Sequence, residues 1–162
     1  MPTAAVIQVA DAVVTLIAAA VLAEDAGATC ERDYVPVRDL AQTETLLVSV
    51  VPGLGDRPEP AARGFRRRVY RIGVSVQQRV PRNVQTADAK KAWLDGKILF
   101  VEQLQVLLED NFLVEASLRE FPLDAIPVLV EIDTLYLPDE LEEDKVFAAE
   151  IFADYRTDRE QG

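Results

Sequence analysis

The most constraining feature is a run near the middle of the chain. Between Phe65 and Val80, Tyr70, Ile72, Val74 and Val76 alternate with Arg71, Gly73, Ser75 and Gln77. Side chains of an extended chain point to opposite sides at successive residues, so this period-two pattern predicts a long strand with one apolar and one polar face. Pro81 closes it. Such a strand must be partnered and its apolar face covered, which commits the chain to a sheet with something packed on it. A second run supplies a partner of the same kind. From Val146 to Arg156, Phe147, Ala149, Ile151, Ala153 and Tyr155 alternate with Ala148, Glu150, Phe152 and Asp154.

The other segments fill in around these two. Thr45–Val51 reads as a strand apolar on both faces, so cover on both sides is expected, with Pro52 and Gly53 as its stop. Paired with Phe65–Val80 it makes an antiparallel hairpin. The thirteen residues between Pro52 and Gly64 hold three prolines and three glycines and show no periodicity. They read as a flexible loop that a partner orders. Cys30–Asp39 contains Pro36 and is expected at an edge or as an extended link. Ala125–Leu137 is a further strand, Leu141–Lys145 an acidic turn, and Thr157–Gly162 a polar tail.

Two segments have helical spacing. Thr3–Glu24 places Val9, Val13, Leu16, Ile17 and Ala20 on one side, with Gly27 as its stop. Gln8, Asp11 and Thr15 interrupt it and no basic residue precedes it, so it reads as an amphipathic soluble helix and not as a membrane span or a signal peptide. Thr86–Asn111 repeats Leu94, Ile98, Val101, Leu104 and Leu108. The expected fold is α+β: one domain over residues 1–162, an antiparallel, mostly four-stranded sheet flanked by two main helices, and a long basic β-hairpin with its loop at about 52–64.

Composition narrows function by exclusion. With no histidine and a single cysteine, Cys30, the chain lacks the commonest catalytic base and metal ligand and any internal disulfide. Its carboxylates stand in no motif with a nucleophile. Asp139–Asp144 lacks the alternating ligands and central glycine of a calcium loop. Gly53-Leu54-Gly55 lacks the context of a phosphate loop or a dinucleotide fingerprint. No catalytic residue, cofactor or metal is therefore expected.

The net charge of -11 disfavours general nucleic-acid binding, but it is unevenly spread. Arg57–Arg82 carries eight arginines and one acid, a net of +7, whereas residues 1–56 carry -6 and residues 83–162 carry -12. Three readings fit: a solvated basic surface, phosphate contact by Arg66, Arg67 and Arg68, or complementarity with an acidic face on another subunit or partner. The last makes Arg63, Arg66, Arg67, Arg68 and Arg71 candidate contact residues. Phe147, Phe152 and Tyr155 join them, because aromatics occupy both faces of the closing strand and one face is available for contact.

Several stretches, in order, resemble the tail terminator proteins of long-tailed bacteriophages, also described as tail completion or head–tail joining proteins. They are Asp11-Ala12-Val13-Val14, Arg32-Asp33-Tyr34-Val35-Pro36, Thr45 to Pro52, Arg68 to Val76, Ala92 to Lys97 and Phe147 to Arg156. The resemblance implies a hexameric ring of identical subunits in the virion neck, assembled in the host cytoplasm. The ring would cap the tail tube, end its polymerisation and dock the head connector or stopper protein. It implies no chemistry and no membrane. Genomic DNA would pass through the hole without specific binding, and Asp139, Glu140, Glu142, Glu143 and Asp144 are the candidate acidic residues of that lumen. A connector stopper or adaptor protein, or an unrelated acidic α+β binding module, are the alternatives. The segment Gly53–Gly64 and the arginine-dense arm depart from the family pattern.

Overall fold

Two fifteen-residue strands, β4 (Phe65–Arg79) and β6 (Val146–Glu160), lie antiparallel and pair without interruption from Phe65 opposite Glu160 to Arg79 opposite Val146. At about 3.3 Å per residue this ribbon is roughly 50 Å long. The computed structural model describes residues 5–20, 28–34, 45–53, 57–59, 65–113, 125–143 and 145–160; for residues 5, 57–59, 65–68, 140, 143 and 157–160 it describes the backbone only. Around the ribbon the sheet is completed by β2 (Leu47–Pro52), antiparallel to β4, and β5 (Ile126–Thr134), antiparallel to β6 with two register shifts. β1 (Thr29–Arg32) forms the edge beside β2, and the order is β1-β2-β4-β6-β5. The short β3 (Arg57–Glu59) pairs with β4 beyond the end of β2.

The fold class is the expected one, a sheet flanked by two main helices, but the sheet is wider: six strands, one pair of them parallel. Two short segments account for the difference. β1 has the polar sequence TCER and no apolar alternation, yet the residues between it and β2 are long enough for the crossover that a parallel pair needs. β3 falls within the expected loop, where Pro58 hides any strand signal, and Arg57, Pro58 and Glu59 pair with Val69, Arg68 and Arg67. Residues 54–56 and 60–64 of that loop lie outside the described residues. β6 also runs on to Glu160, so the expected polar tail is in part the partner of Phe65–Arg68.

Both helices cover one face of the sheet. α1 (Ala5–Ala19) lies over β1 and β2 and buries Val9, Val13 and Ile17 at helical spacing, leaving Asp11 and Thr15 exposed. It ends earlier than Glu24: the Ala20 N–H donates to the Ile17 carbonyl at 3.2 Å, a tightened last turn. Gly27 lies outside the described residues. α2 (Ala87–Asp110) lies over β5 and β6. Thr86 caps it, its hydroxyl accepting from the Ala89 N–H at 3.1 Å, and the Asn111 side-chain amide donates to the Leu107 carbonyl at 2.8 Å. Phe100, Val101, Leu104 and Leu108 meet Val48, Val50, Tyr70, Ile72, Val74, Val76, Ala149 and Ile151 in one continuous core. In place of the expected acidic turn stands a short helix, α3 (Pro138–Glu143). Proline at its first position and acids in its first turn suit a helix start.

β2 is buried on both faces along most of its length. Val48 and Val50 face the helices, and Leu47 and Ser49 are buried on the opposite side. Where β2 ends, Gly53 keeps the hairpin closed. Its N–H donates to the Arg71 carbonyl at 2.7 Å, and a Cβ there would stand 2.1 Å from that same oxygen. Gly73, opposite Val51 and Phe152, is different: a Cβ would make ordinary contacts at 3.7 Å. Gly53→Ala is therefore expected to cost about 2–3 kcal/mol through forced separation of the strands. Gly73→Ala should leave stability unchanged or raise it by about 0.5 kcal/mol. Denaturant midpoints of the two variants check this contrast.

Candidate partner interface

On the face turned away from the helices, the row Val51–Gly73–Phe152 crosses β2, β4 and β6. Glycine in the middle of this row leaves a notch between an aliphatic and an aromatic side chain. Pro52, Gly53 and the exposed Tyr34 extend it to a groove of about 500 Å³. Phe152 reaches this face because it sits out of phase with the core residues Ile151 and Ala153.

The groove is rimmed by charge. The Arg71 guanidinium grips Asp154 with two hydrogen bonds, Nε to Oδ1 at 2.9 Å and Nη2 to Oδ2 at 3.2 Å, and lies 5.4 Å from the Phe152 ring centre. The hydrogen bond and charge of Asp154 raise the Arg71 pKa above its ordinary value, and Glu131 and Asp133 add to the effect from β5. Glu150 also lines the groove. Asp154, Glu131 and Asp133 therefore gather around Arg71, with Glu150 and Arg156 elsewhere along β6. At the other end, Arg32 donates through Nε to Asp11 at 2.7 Å and through Nη1 to the Tyr34 hydroxyl at 3.0 Å, tying β1 to α1.

The expected contact residues divide. Phe147 and Tyr155 are fully buried, turned by the register toward the helices, and serve the core of their own chain. Phe147 meets Trp93 edge-on at 6.3 Å between ring centres. Phe152, half-buried in the groove, is the member of the trio on the face turned away from α1 and α2. Arg71 is held by Asp154 of its own chain. Arg66, Arg67 and Arg68 lie on the distal part of the ribbon, beyond Tyr70 and Tyr155, where the core ends. There position 67 falls between Glu59 of β3 and Asp158 of β6, an arrangement of opposite charges across strands. Positions 66, 68 and 159, all arginine, share the other face of the ribbon. The arm thus has one mixed face and one basic face, a division that became legible only once β6 was seen to reach Glu160. Arg63 lies outside the described residues.

The candidate lumen residues Asp139 and Glu142 are exposed on α3; Glu140 and Glu143 occupy positions on the same helix, and Asp144 lies outside the described residues. A further apolar surface was missed by sequence reasoning. Leu99 and Val106 lie exposed on the outer side of α2, and Val128 and Leu129 on β5. Edge strands invite unwanted pairing, and here the Gln105 side-chain amide donates to the Val130 carbonyl at 3.4 Å, covering part of that edge. The groove was missed too, although an isolated glycine within a strand pattern is a signal for close approach. Among the described residues no cluster of three or more metal-ligating side chains forms, and no helix is long and apolar enough to cross a membrane. No protein-family model matches the chain, and no curated protein matches it significantly.

Cys30 sits half-buried on β1, and burial, reinforced by Glu31, pushes its thiol up to about 12. Alkylation of the native protein at pH 8.5 should run at least tenfold slower than after unfolding. The protonated thiol favours the fold, so its contribution is whole below about pH 9 and is lost as the pH rises toward 12; a Cys30→Ala variant should show less of that alkaline loss. For the Arg71–Asp154 pair, a double-mutant cycle with Arg71→Ala and Asp154→Ala should give a coupling of about 0.5–1 kcal/mol that shrinks with added salt, since Arg71 is 42% exposed.

Proposed function

We propose that this chain is a structural, non-catalytic subunit of a ring in the neck of a long-tailed bacteriophage, the tail terminator. In this reading, six copies sit on the last ring of the tail tube, stop its growth and offer a surface to the head connector. The observation that carries the reading is the segregation of charge along the chain, +7 over Arg57–Arg82 against -12 over residues 83–162. A closed ring of identical subunits needs two different, mutually complementary surfaces on each copy. A basic arm and an acidic, groove-bearing face supply two such surfaces at separate places. The ordered stretches that resemble tail terminators support the same assignment.

The acidic balance suits a passage for DNA. Carboxylates along a lumen repel phosphate, so the duplex slides without being held. In this reading α3, with Asp139 and Glu142 exposed, faces the hole. Negative-stain imaging of tails assembled with and without the protein tests the role. Overlong tubes in its absence, and tubes of uniform length when it is added back, are expected. Tubes of normal length that fail to join heads would assign the chain to a stopper or adaptor instead.

A further inference from the structure

We infer that the groove on the sheet face turned away from α1 and α2 is the receiving site for the arginine arm of a second copy of this chain. The inference rests on the ring reading only in requiring that copies meet. The groove offers aromatic surface in Tyr34 and Phe152, with a notch at Gly73 that nothing of the sheet itself fills. Glu150 and Arg71 are the charged residues among its described lining, and Asp154, Glu131 and Asp133 act on Arg71 from beside it. Of these carboxylates, Asp154 is neutralised by Arg71, whereas Glu150 has no ion-pair partner among the described residues.

An apolar floor beside a carboxylate, Glu150, that no described cation pairs suits a ligand that is both flat and cationic. Arginine meets both demands: its guanidinium stacks on an aromatic ring and pairs with a carboxylate at the same time. Arg71 already does this within the chain, lying 5.4 Å from the Phe152 ring centre while it grips Asp154. The chain has one dense source of arginine, the segment Arg57–Arg82. Positions 66 and 68 of that segment, with position 159 of β6, lie on one face of the ribbon, beyond the end of the core and several residue pairs from the groove at Gly73. Arm and groove are therefore different surfaces of one subunit, and their contact is heterologous, the kind that propagates from copy to copy and closes into a ring when the rotation allows.

Sedimentation of the full chain over a range of concentrations and salt tests the inference. The wild type should self-associate, more weakly at high salt. Gly73→Leu, which fills the notch, and Glu150→Arg, which reverses the rim, should each weaken association at least tenfold. Circular dichroism melting should show both still folded. Arg66→Glu with Arg68→Glu should weaken it likewise. An equimolar mixture of the Glu150→Arg chain and the Arg66→Glu/Arg68→Glu chain should associate again, because each then offers what the other lacks. Association that ignores the two groove substitutions, or that is lost only on Leu99→Asp or Val106→Asp in α2, would overturn the groove as the site. A wild type that stays monomeric throughout would overturn it as well. The ring reading would survive either outcome if added protein still ended tube growth.

Discussion

The uninterrupted pairing of β4 with β6 is the constraint from which the rest of the molecule follows. Fifteen consecutive residue pairs without a register shift fix the face of every residue on both strands. A slip of one residue would turn Tyr70, Ile72, Val74, Phe147, Ile151 and Tyr155 to the opposite side and bring Arg71, Glu150 and Asp154 under the helices. The cost of burying those charges is far larger than any local gain, so the core enforces the register. The register in turn delivers Phe152, Arg71 and Asp154 to a common surface. The groove is the complement of the core, created by the same alternation.

That coupling explains which features were legible in the sequence. The two long strands, β2 and both main helices could be read because each carries a periodic apolar face, and their bounds fall within a few residues of those expected. β1 is expected only as an edge strand or extended link over Cys30–Asp39, and it is the edge strand over Thr29–Arg32, whereas β3 reads as loop. Neither TCER nor RPE carries an apolar alternation, and each is a strand through its pairing with β2 or β4. α3 was hidden for a related reason: in a run of acids the only helical cue is Pro138 at its first position. In each case tertiary context decided a segment whose local pattern is weak.

The candidate site was legible by composition and not by geometry. Clustered arginines can be counted in a sequence, but which of them share a face depends on the strand opposite. The C-terminal residues changed that picture, since Asp158 falls opposite Arg67 and Arg159 opposite Arg66. The aromatic trio shows the same dependence. Phe147, Phe152 and Tyr155 look equivalent by type, yet parity sends two into the core and leaves one on the groove. Burial there pushes the Tyr155 phenol's pKa upward, in keeping with a ring that serves packing.

The two glycines of the hairpin show how one residue type answers two different demands. Gly53 is set by close approach, because its N–H must reach the Arg71 carbonyl where any side chain would collide. Gly73 is under no such compulsion, since a methyl group would sit there at ordinary contact distance. Glycine in the interior of a strand weakens it, and an alanine at Gly73 would give the sheet more to pack. Among the described residues, no contact demands glycine at this position. What it does supply is depth between Val51 and Phe152 on the one sheet face where acidic residues gather, and depth in such a place matters to something that enters from outside the chain.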